Sequence, residues 1–169
     1  DEGEVLIDGK KVAVDDVETK RLVGYLPEHN PLYLDMYVRE YLYFVAGVYG
    51  LKGIAKQDAV NDVVERTGLT LEQNKLIKQL SKGYRQRVGI AAAIIHNPKV
   101  LILDEPTTGL DPNQLIEIRQ LIKDLGRERL VIFSTHIMQE VEQVCDDVIV
   151  INKGNVIEQG TKDALVAKY

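Results

Sequence analysis

Two uninterrupted apolar segments constrain the fold of this chain more than any other feature. Residues 100–103 and residues 130–133 are each four consecutive apolar residues, and each follows a stretch with helical spacing, at 84–97 and 113–127. Strands without polar alternation are typical of parallel sheets that helices cover on both faces. The sequence therefore predicts an α/β fold with a parallel sheet whose strands are buried on both faces.

A helical insert precedes this region. Apolar residues recur at helical spacing over 37–49 and 56–67, and glycines such as Gly53 break the pattern. We therefore expect residues 30–80 to form a helical subdomain.

Two short hairpins complete the predicted fold class. Residues 4–14 and 148–159 each contain apolar runs on either side of a glycine turn, and the second turn is Lys153-Gly154. Residues 162–168 are predicted to form a closing helix. The fold class is α/β, with a parallel sheet core, a helical subdomain and a small antiparallel β element.

Composition excludes several classes of protein. The net charge of -5 argues against a protein that binds nucleic acid by neutralising phosphates, so no nucleic-acid partner is expected. Cys145 is the only cysteine, which rules out an intramolecular disulfide and favours a cytoplasmic location. No run reaches the roughly 20 apolar residues that cross a bilayer, so any association with a membrane requires a partner.

Two adjacent carboxylates, Asp104 and Glu105, follow the first apolar strand directly. Ligands bind at the carboxyl ends of strands in open α/β sheets, where one carboxylate can hold Mg²⁺ while the other polarises an attacking water. The alternative is that the two acids only begin a solvated loop.

A histidine follows the second apolar strand in the sequence Ser134-Thr135-His136. We expect it at the same edge of the sheet as Asp104 and Glu105, where it can donate a hydrogen bond to developing negative charge. The alternative is a helix cap followed by a surface histidine.

Two further segments have both a local and a functional interpretation. The loop at 107–112 contains Asp111, which either caps a helix with proline at its first position or contributes to a site. Residues 80–87 place Ser81 at the start of a helix, next to Gly83. Free N–H groups at a helix N-terminus bind anions, although an ordinary serine cap explains the same pattern.

Taken in chain order, residues 80–87, Asp104-Glu105, residues 107–112 and His136 resemble the signature motif, Walker B motif, D-loop and switch histidine of ABC transporter ATPases, which share a P-loop NTPase-like fold. Residues 24–28 resemble the Q-loop of the same family. The resemblance implies a partial ABC ATPase domain over 1–169. Its expected parts are a β region with the Q-loop, the helical subdomain, the signature helix with a RecA-like core, and the start of a C-terminal helix, at 1–29, 30–80, 81–160 and 161–169.

The resemblance also implies the role of each site residue. Asp104 would hold Mg²⁺, Glu105 would be the catalytic base and His136 would sense the γ-phosphate of ATP. The family works as a head-to-tail dimer coupled to a membrane permease, so a second ATPase subunit and a permease are the expected partners. The residues expected to bind the nucleotide across that dimer are Ser81, Lys82, Gly83, Tyr84 and Asp111.

Three departures from the family pattern affect these expectations. The signature motif is Leu-Ser-Lys-Gly-Tyr instead of Leu-Ser-Gly-Gly-Gln. Glu28 replaces the Q-loop glutamine and is still expected to contribute to the metal site, the alternative being a solvated loop acid. No Gly-x-x-x-x-Gly-Lys-Ser/Thr sequence occurs. Because that P-loop grips the phosphates, residue 1 is interpreted as an N-terminal truncation and the 169-residue chain is expected to be inactive by itself.

The sequence of residues 25–33, which includes the Q-loop, is similar to that of the ATPases of drug, polysaccharide and gliding-motility exporters. An exporter ATPase at the inner face of the cell membrane is therefore the leading hypothesis. A soluble ABC ATPase and a non-hydrolysing regulatory module are the alternatives.

Overall fold

The computed structural model describes residues 3–13 and 15–168. The predicted cut at residue 1, the end of the first predicted hairpin at residue 14 and the last residue of the 161–169 segment lie outside these ranges. The elements are, in chain order, β1 (Leu6–Ile7), β2 (Lys10–Lys11), α1 (Val17–Lys20), β3 (Val23–Leu26), α2 (Val38–Val48), α3 (Gly53–Arg66), a 3₁₀ helix (Ile77–Gln79), α4 (Lys82–Ile94), β4 (Val100–Asp104), α5 (Pro112–Gly126), β5 (Leu130–Ser134), α6 (Met138–Val144), β6 (Asp147–Asn152), β7 (Asn155–Thr161) and α7 (Lys162–Lys168).

The central sheet contains three parallel strands in the order β3-β4-β5. Leu26 pairs with Leu103 across the first pair, and Asp104 pairs with Ser134 across the second. Two antiparallel hairpins, β1-β2 and β6-β7, lie outside this sheet. The α/β class, the parallel sheet and both predicted hairpins are therefore confirmed.

The prediction that the strands are buried on both faces is wrong. Leu101 and Leu103 are fully buried on the face where α4 packs against β3 and α5 packs against β5. On the opposite face, Tyr25 and Ile132 are 55% and 50% exposed. The apolar sequence shows that both faces favour burial, but it does not show which segment covers each face.

Helices α2, α3 and α4 pack together and share the main hydrophobic core with the buried face of the sheet. The fully buried large side chains of this core include Leu42, Leu69, Ile77, Ile90, Ile118, Ile122 and Leu125. Among the described residues, no helix has the length and apolar character needed to span a membrane.

Several helix boundaries differ from the predicted ones for local reasons. Gly53 is not a break but the first residue of α3, with a positive φ of 54° that glycine tolerates. Helix α4 begins at Lys82, two residues before the apolar periodicity, because Ser81 caps it. Helices α1 and α6 were not predicted, and α1, with four residues, is too short to display a helical period.

Gly24 is essential to the packing of β3 against α4. A Cβ atom at this position would collide with the backbone carbonyl oxygen of Ala93 and lie 3.0 Å from Cγ of Pro98. We expect Gly24→Ala to lower the free energy of unfolding by about 1–3 kcal/mol, because backbone atoms cannot move aside easily. Urea denaturation followed by circular dichroism measures the change.

The matched control is Gly126→Ala at the end of α5. There a Cβ atom would lie 3.9 Å from Cγ2 of Val131, an ordinary contact. We expect this variant to be neutral or more stable by about 0.5 kcal/mol. Equal stability of the two variants would contradict this account of β3.

Candidate functional site

The carboxyl ends of β4 and β5 lie side by side and carry the predicted polar residues. Asp104 and Ser134 are the last residues of these strands, and Oγ of Ser134 donates a hydrogen bond to Oδ1 of Asp104 at 2.5 Å. The backbone N–H of Glu105 donates to the carbonyl oxygen and to Oγ of Ser134, each at 3.2 Å. The predicted convergence of these two strand ends is confirmed.

A contact between Glu105 and His136 forms the centre of the site. Nδ1 of His136 lies 2.8 Å from Oε1 of Glu105, and Oγ1 of Thr108 donates to Oε2 of the same carboxylate at 3.2 Å. The side chain of Glu105 is 18% exposed, whereas that of His136 is 72% exposed. The carboxylate is therefore held on both oxygens, while the imidazole faces solvent.

The backbone of Glu105 is strained. Its φ is 45°, in the left-handed region that residues with a side chain seldom adopt. The two hydrogen bonds from its N–H to Ser134 hold this conformation. Strain of this kind is common at functional sites, where it directs a side chain that a relaxed turn would not place.

Three acids raise the pKa of His136 above its ordinary value. Glu105 has the largest effect, through its hydrogen bond and its charge, and the charges of Glu140 and Glu28 add to it. Glu28 is an exposed residue just beyond β3, which runs parallel to β4 and ends at the same edge of the sheet. The structure thus places Glu28 within electrostatic range of the Glu105–His136 pair.

The described carboxylates at this edge of the sheet do not form a complete metal site by themselves. Among residues 3–13 and 15–168, no group of three or more His, Cys, Asp or Glu residues forms a cage for a metal ion. Mg²⁺ is usually bound by one or two carboxylates together with waters and substrate phosphates. Asp104 and Glu28 provide carboxylates of this kind.

The start of α4 packs against the start of α5. Oγ of Ser81 accepts hydrogen bonds from the N–H of Tyr84 at 3.3 Å and from Nε2 of Gln114 at 3.4 Å. Gly83 is buried, and a Cβ atom there would lie 2.6 Å from Cδ of Gln114. Lys82 is exposed, with its ammonium group against Gly109 in the loop that precedes α5.

Asp111 caps α5, as the local interpretation predicted. Its side chain accepts hydrogen bonds from the N–H groups of Asn113 and Gln114, both at 3.0 Å, and Pro112 is the first helical residue. Asp111 is also exposed, so its side chain remains accessible to another molecule.

The predicted site residues form two separate clusters within one chain. The first comprises Asp104, Glu105 and His136 at the edge of the sheet, and the second comprises residues 81–84 with Asp111. Among the described residues, no hydrogen bond or ion pair joins one cluster to the other, and the loop at 105–111 connects them along the chain.

Three further residues contact these clusters or their neighbours, and the sequence did not indicate their individual roles: Thr108, Gln114 and Glu140. Gln114 is the third residue of the helix that Asp111 caps, a position where glutamine often supports the cap, but its amide instead reaches Ser81. Glu140 lies on the short α6, and no pattern in the sequence indicated its position.

The pKa of His136 provides a direct test of this geometry. We expect Glu105→Gln to lower the pKa of His136, because the substitution removes the largest of the causes that raise it. Since that pKa is raised, the pair stabilises the fold fully below the pKa of an unfolded histidine, and this contribution disappears as pH rises through the folded pKa. Titration of the imidazole protons by NMR measures the shift, and an unchanged pKa would contradict the contact.

Three comparisons with known proteins identify the family. A family profile described as "ABC transporter" matches residues 1–108. The chain is 39% identical over 159 residues to the bacitracin transport ATP-binding protein BcrA of Bacillus licheniformis, covering 93% of this chain and 51% of BcrA. It is 37% identical over 166 residues to the ABC transporter ATP-binding protein NatA of Bacillus subtilis, covering 97% of this chain and 68% of NatA.

A solved structure agrees with these relatives. The chain matches CbiO1 of Clostridium perfringens, described as part of the ABC transporter complex CbiONQ, with a TM-score of 0.87 and 32% identity. The match covers 96% of this chain and 67% of CbiO1, so the chain spans about half to two thirds of the length of these proteins. The protein belongs to the ABC transporter family, among its ATP-binding proteins.

Proposed function

We propose that this chain belongs to a subunit that hydrolyses ATP to drive export through a separate membrane permease. The observation that carries the proposal is the contact of 2.8 Å between Glu105 and His136 at the carboxyl edge of the parallel sheet. A carboxylate and an imidazole at that edge suit the two tasks of phosphoryl transfer to water, which are to orient the water and to stabilise charge on the phosphate.

The proposed role of each residue follows from its contacts. Glu105 accepts a proton from the attacking water, and its contacts with Thr108 and His136 fix its orientation. His136 bonds to Glu105 through Nδ1, which leaves Nε2 to face the γ-phosphate. Asp104 would hold Mg²⁺, with Glu28 as a second carboxylate, and the ion would neutralise phosphate charge.

We further propose that two subunits pair head to tail. The cluster formed by Ser81, Lys82, Gly83 and Tyr84 makes no hydrogen bond to the Glu105–His136 cluster in its own chain. As the resemblance to ABC ATPases implies, each phosphate site in the proposed dimer takes one cluster from each subunit, with Asp111 at the interface. The ammonium group of Lys82, where the family usually has glycine, adds a positive charge beside the phosphates.

We also propose how the chain is divided into segments and where the subunit is located in the cell. We infer the division into segments 1–29, 30–80, 81–160 and 161–169, and a position at the inner face of the membrane through the permease. The half-buried aromatic residues Tyr41 and Tyr43 of α2, with exposed Phe44, are proposed to meet the permease. Export is proposed as the direction because residues 25–33 resemble the Q-loop region of exporter ATPases.

ATP turnover by the full natural subunit tests the central role of Glu105. We expect Glu105→Gln to lower kcat by about 10²-fold or more, since general-base catalysis is typically worth that factor. Glu142→Gln, which changes an exposed carboxylate on α6, is the control and should retain wild-type kcat. A wild-type subunit that binds MgATP without turnover would favour the non-hydrolysing alternative.

The 169-residue polypeptide provides a second test. Its sequence contains no P-loop to hold the phosphates. We expect no sustained hydrolysis of MgATP by this polypeptide alone in a phosphate-release assay. Sustained turnover that Glu105→Gln abolishes would contradict the expectation.

A mixing experiment tests the head-to-tail pairing. We expect full subunits with Ser81→Arg, and separately with Glu105→Gln, to be inactive, because each change damages both composite sites. A mixed dimer contains one site with an intact Glu105 and an intact Ser81. Mixing the two variants should therefore restore part of the ATPase activity, and no gain over the separate variants would contradict the pairing.

A further inference from the structure

A buried carboxylate lies behind the exposed His136. Glu140 of α6 is fully buried, with 0% exposure, and its Oε2 accepts a hydrogen bond from Oγ1 of Thr135 at 2.7 Å. Oγ1 of Thr135 in turn accepts a hydrogen bond from the N–H of Ile137 at 3.1 Å. The threonine hydroxyl thus fixes the backbone on both sides of His136.

The guanidinium group of Arg119 compensates the buried carboxylate. Nη2 of Arg119 lies 3.4 Å from Oε1 of Glu140, and Nη1 donates to Oε1 of Gln143 at 2.9 Å. Only 13% of the Arg119 side chain is exposed. This pair joins α5 to α6, and α5 is the helix that begins directly after Asp111.

Stability alone does not explain this pair. Burying two charges costs free energy that their attraction only partly offsets, and apolar residues of similar volume often stabilise a core equally well. An alternative explanation is that the buried charges fix one particular conformation of the backbone that they contact. That backbone is the segment at 135–137, which carries His136.

We propose that Glu140 is a positioning residue that acts through Thr135 to hold the ring of His136 against Glu105. Arg119 anchors Glu140 to α5, so the orientation of His136 depends on the position of the helix that Asp111 caps. The effect on ATP turnover rests on the proposed function, whereas the effect on the His136–Glu105 contact does not.

The electrostatics of His136 support this geometry. The carboxylates that act on His136 are Glu105 from the end of β4, Glu140 from α6 and Glu28 from the loop after β3. Glu105 acts mainly through a hydrogen bond, which requires the ring to stay in place. A change at Thr135 that retains all three carboxylates is therefore expected to lower the pKa of His136 mainly by moving the ring away from Glu105.

A variant at Thr135 therefore distinguishes an effect on the position of the His136 ring from an effect of carboxylate charge on its pKa. Thr135→Val in the full natural subunit removes the hydroxyl and retains all three carboxylates. We expect it to lower the pKa of His136, as measured by NMR titration without nucleotide, because the ring loses its contact with Glu105. Thr135→Ser retains the hydroxyl and should restore the wild-type titration.

Glu140→Gln tests the other end of the network. We expect it to lower the pKa of His136 as well, because it removes a charge and weakens the anchor. In MgATP turnover, we expect Glu140→Gln and Thr135→Val each to lower kcat about tenfold with little change in KM, since a misplaced catalytic group costs rate more than binding. The double variant should be no slower than the single ones, because both act on one network.

Glu142→Gln is the control, since it removes an exposed carboxylate from the same helix and should change neither the titration nor kcat. A wild-type pKa of His136 in Thr135→Val, or wild-type kcat in both single variants, overturns the proposal. If Glu140→Gln does not fold, the comparison of Thr135→Val with Thr135→Ser decides the question. If Glu105→Gln retains full turnover, the proposed function fails, while the titration still decides whether Glu140 positions His136.

Discussion

The parallel pairing of β4 with β5 is the constraint on which the site depends. Its register sets Asp104 opposite Ser134, so the next residues, Glu105 and Thr135, leave the sheet at the same edge. Ser134 then bonds to both acids and holds Glu105 in a left-handed conformation that directs its carboxylate to His136. A shift of one residue in this register would move His136 away from Glu105 and turn the half-buried side chains of β5, Val131 and Phe133, to the other face.

The loop at 105–111 and the start of α5 lie between the two clusters of site residues. Helices α4 and α5 pack at their N-termini through Ser81, Gly83 and Gln114, and the loop at 105–111 leads directly into α5. In the middle of the same loop, Thr108 holds the carboxylate of Glu105 at its beginning. Within each subunit, a few side chains of this loop and of α5 therefore lie between the proposed catalytic residues and the residues proposed to face the second subunit.

The sequence was sufficient to predict features that depend on short-range patterns. The apolar runs predicted the parallel strands, the glycine turns predicted the hairpins, and the polar residues after two strands predicted the convergence of Glu105 with His136. It was insufficient where the outcome depends on a partner distant in the chain. The exposed face with Tyr25 and Ile132, and the burial of Glu140 by Arg119, are decided by tertiary packing that no local pattern encodes.

The most direct test of this account is a crystal structure of the full Glu105→Gln subunit with MgATP. The account predicts a dimer in which the γ-phosphate lies between His136 of one subunit and Ser81 and Gly83 of the other, with Mg²⁺ at Asp104. A nucleotide bound away from the carboxyl edge of the sheet, or contacted by residues of one subunit only, would contradict it.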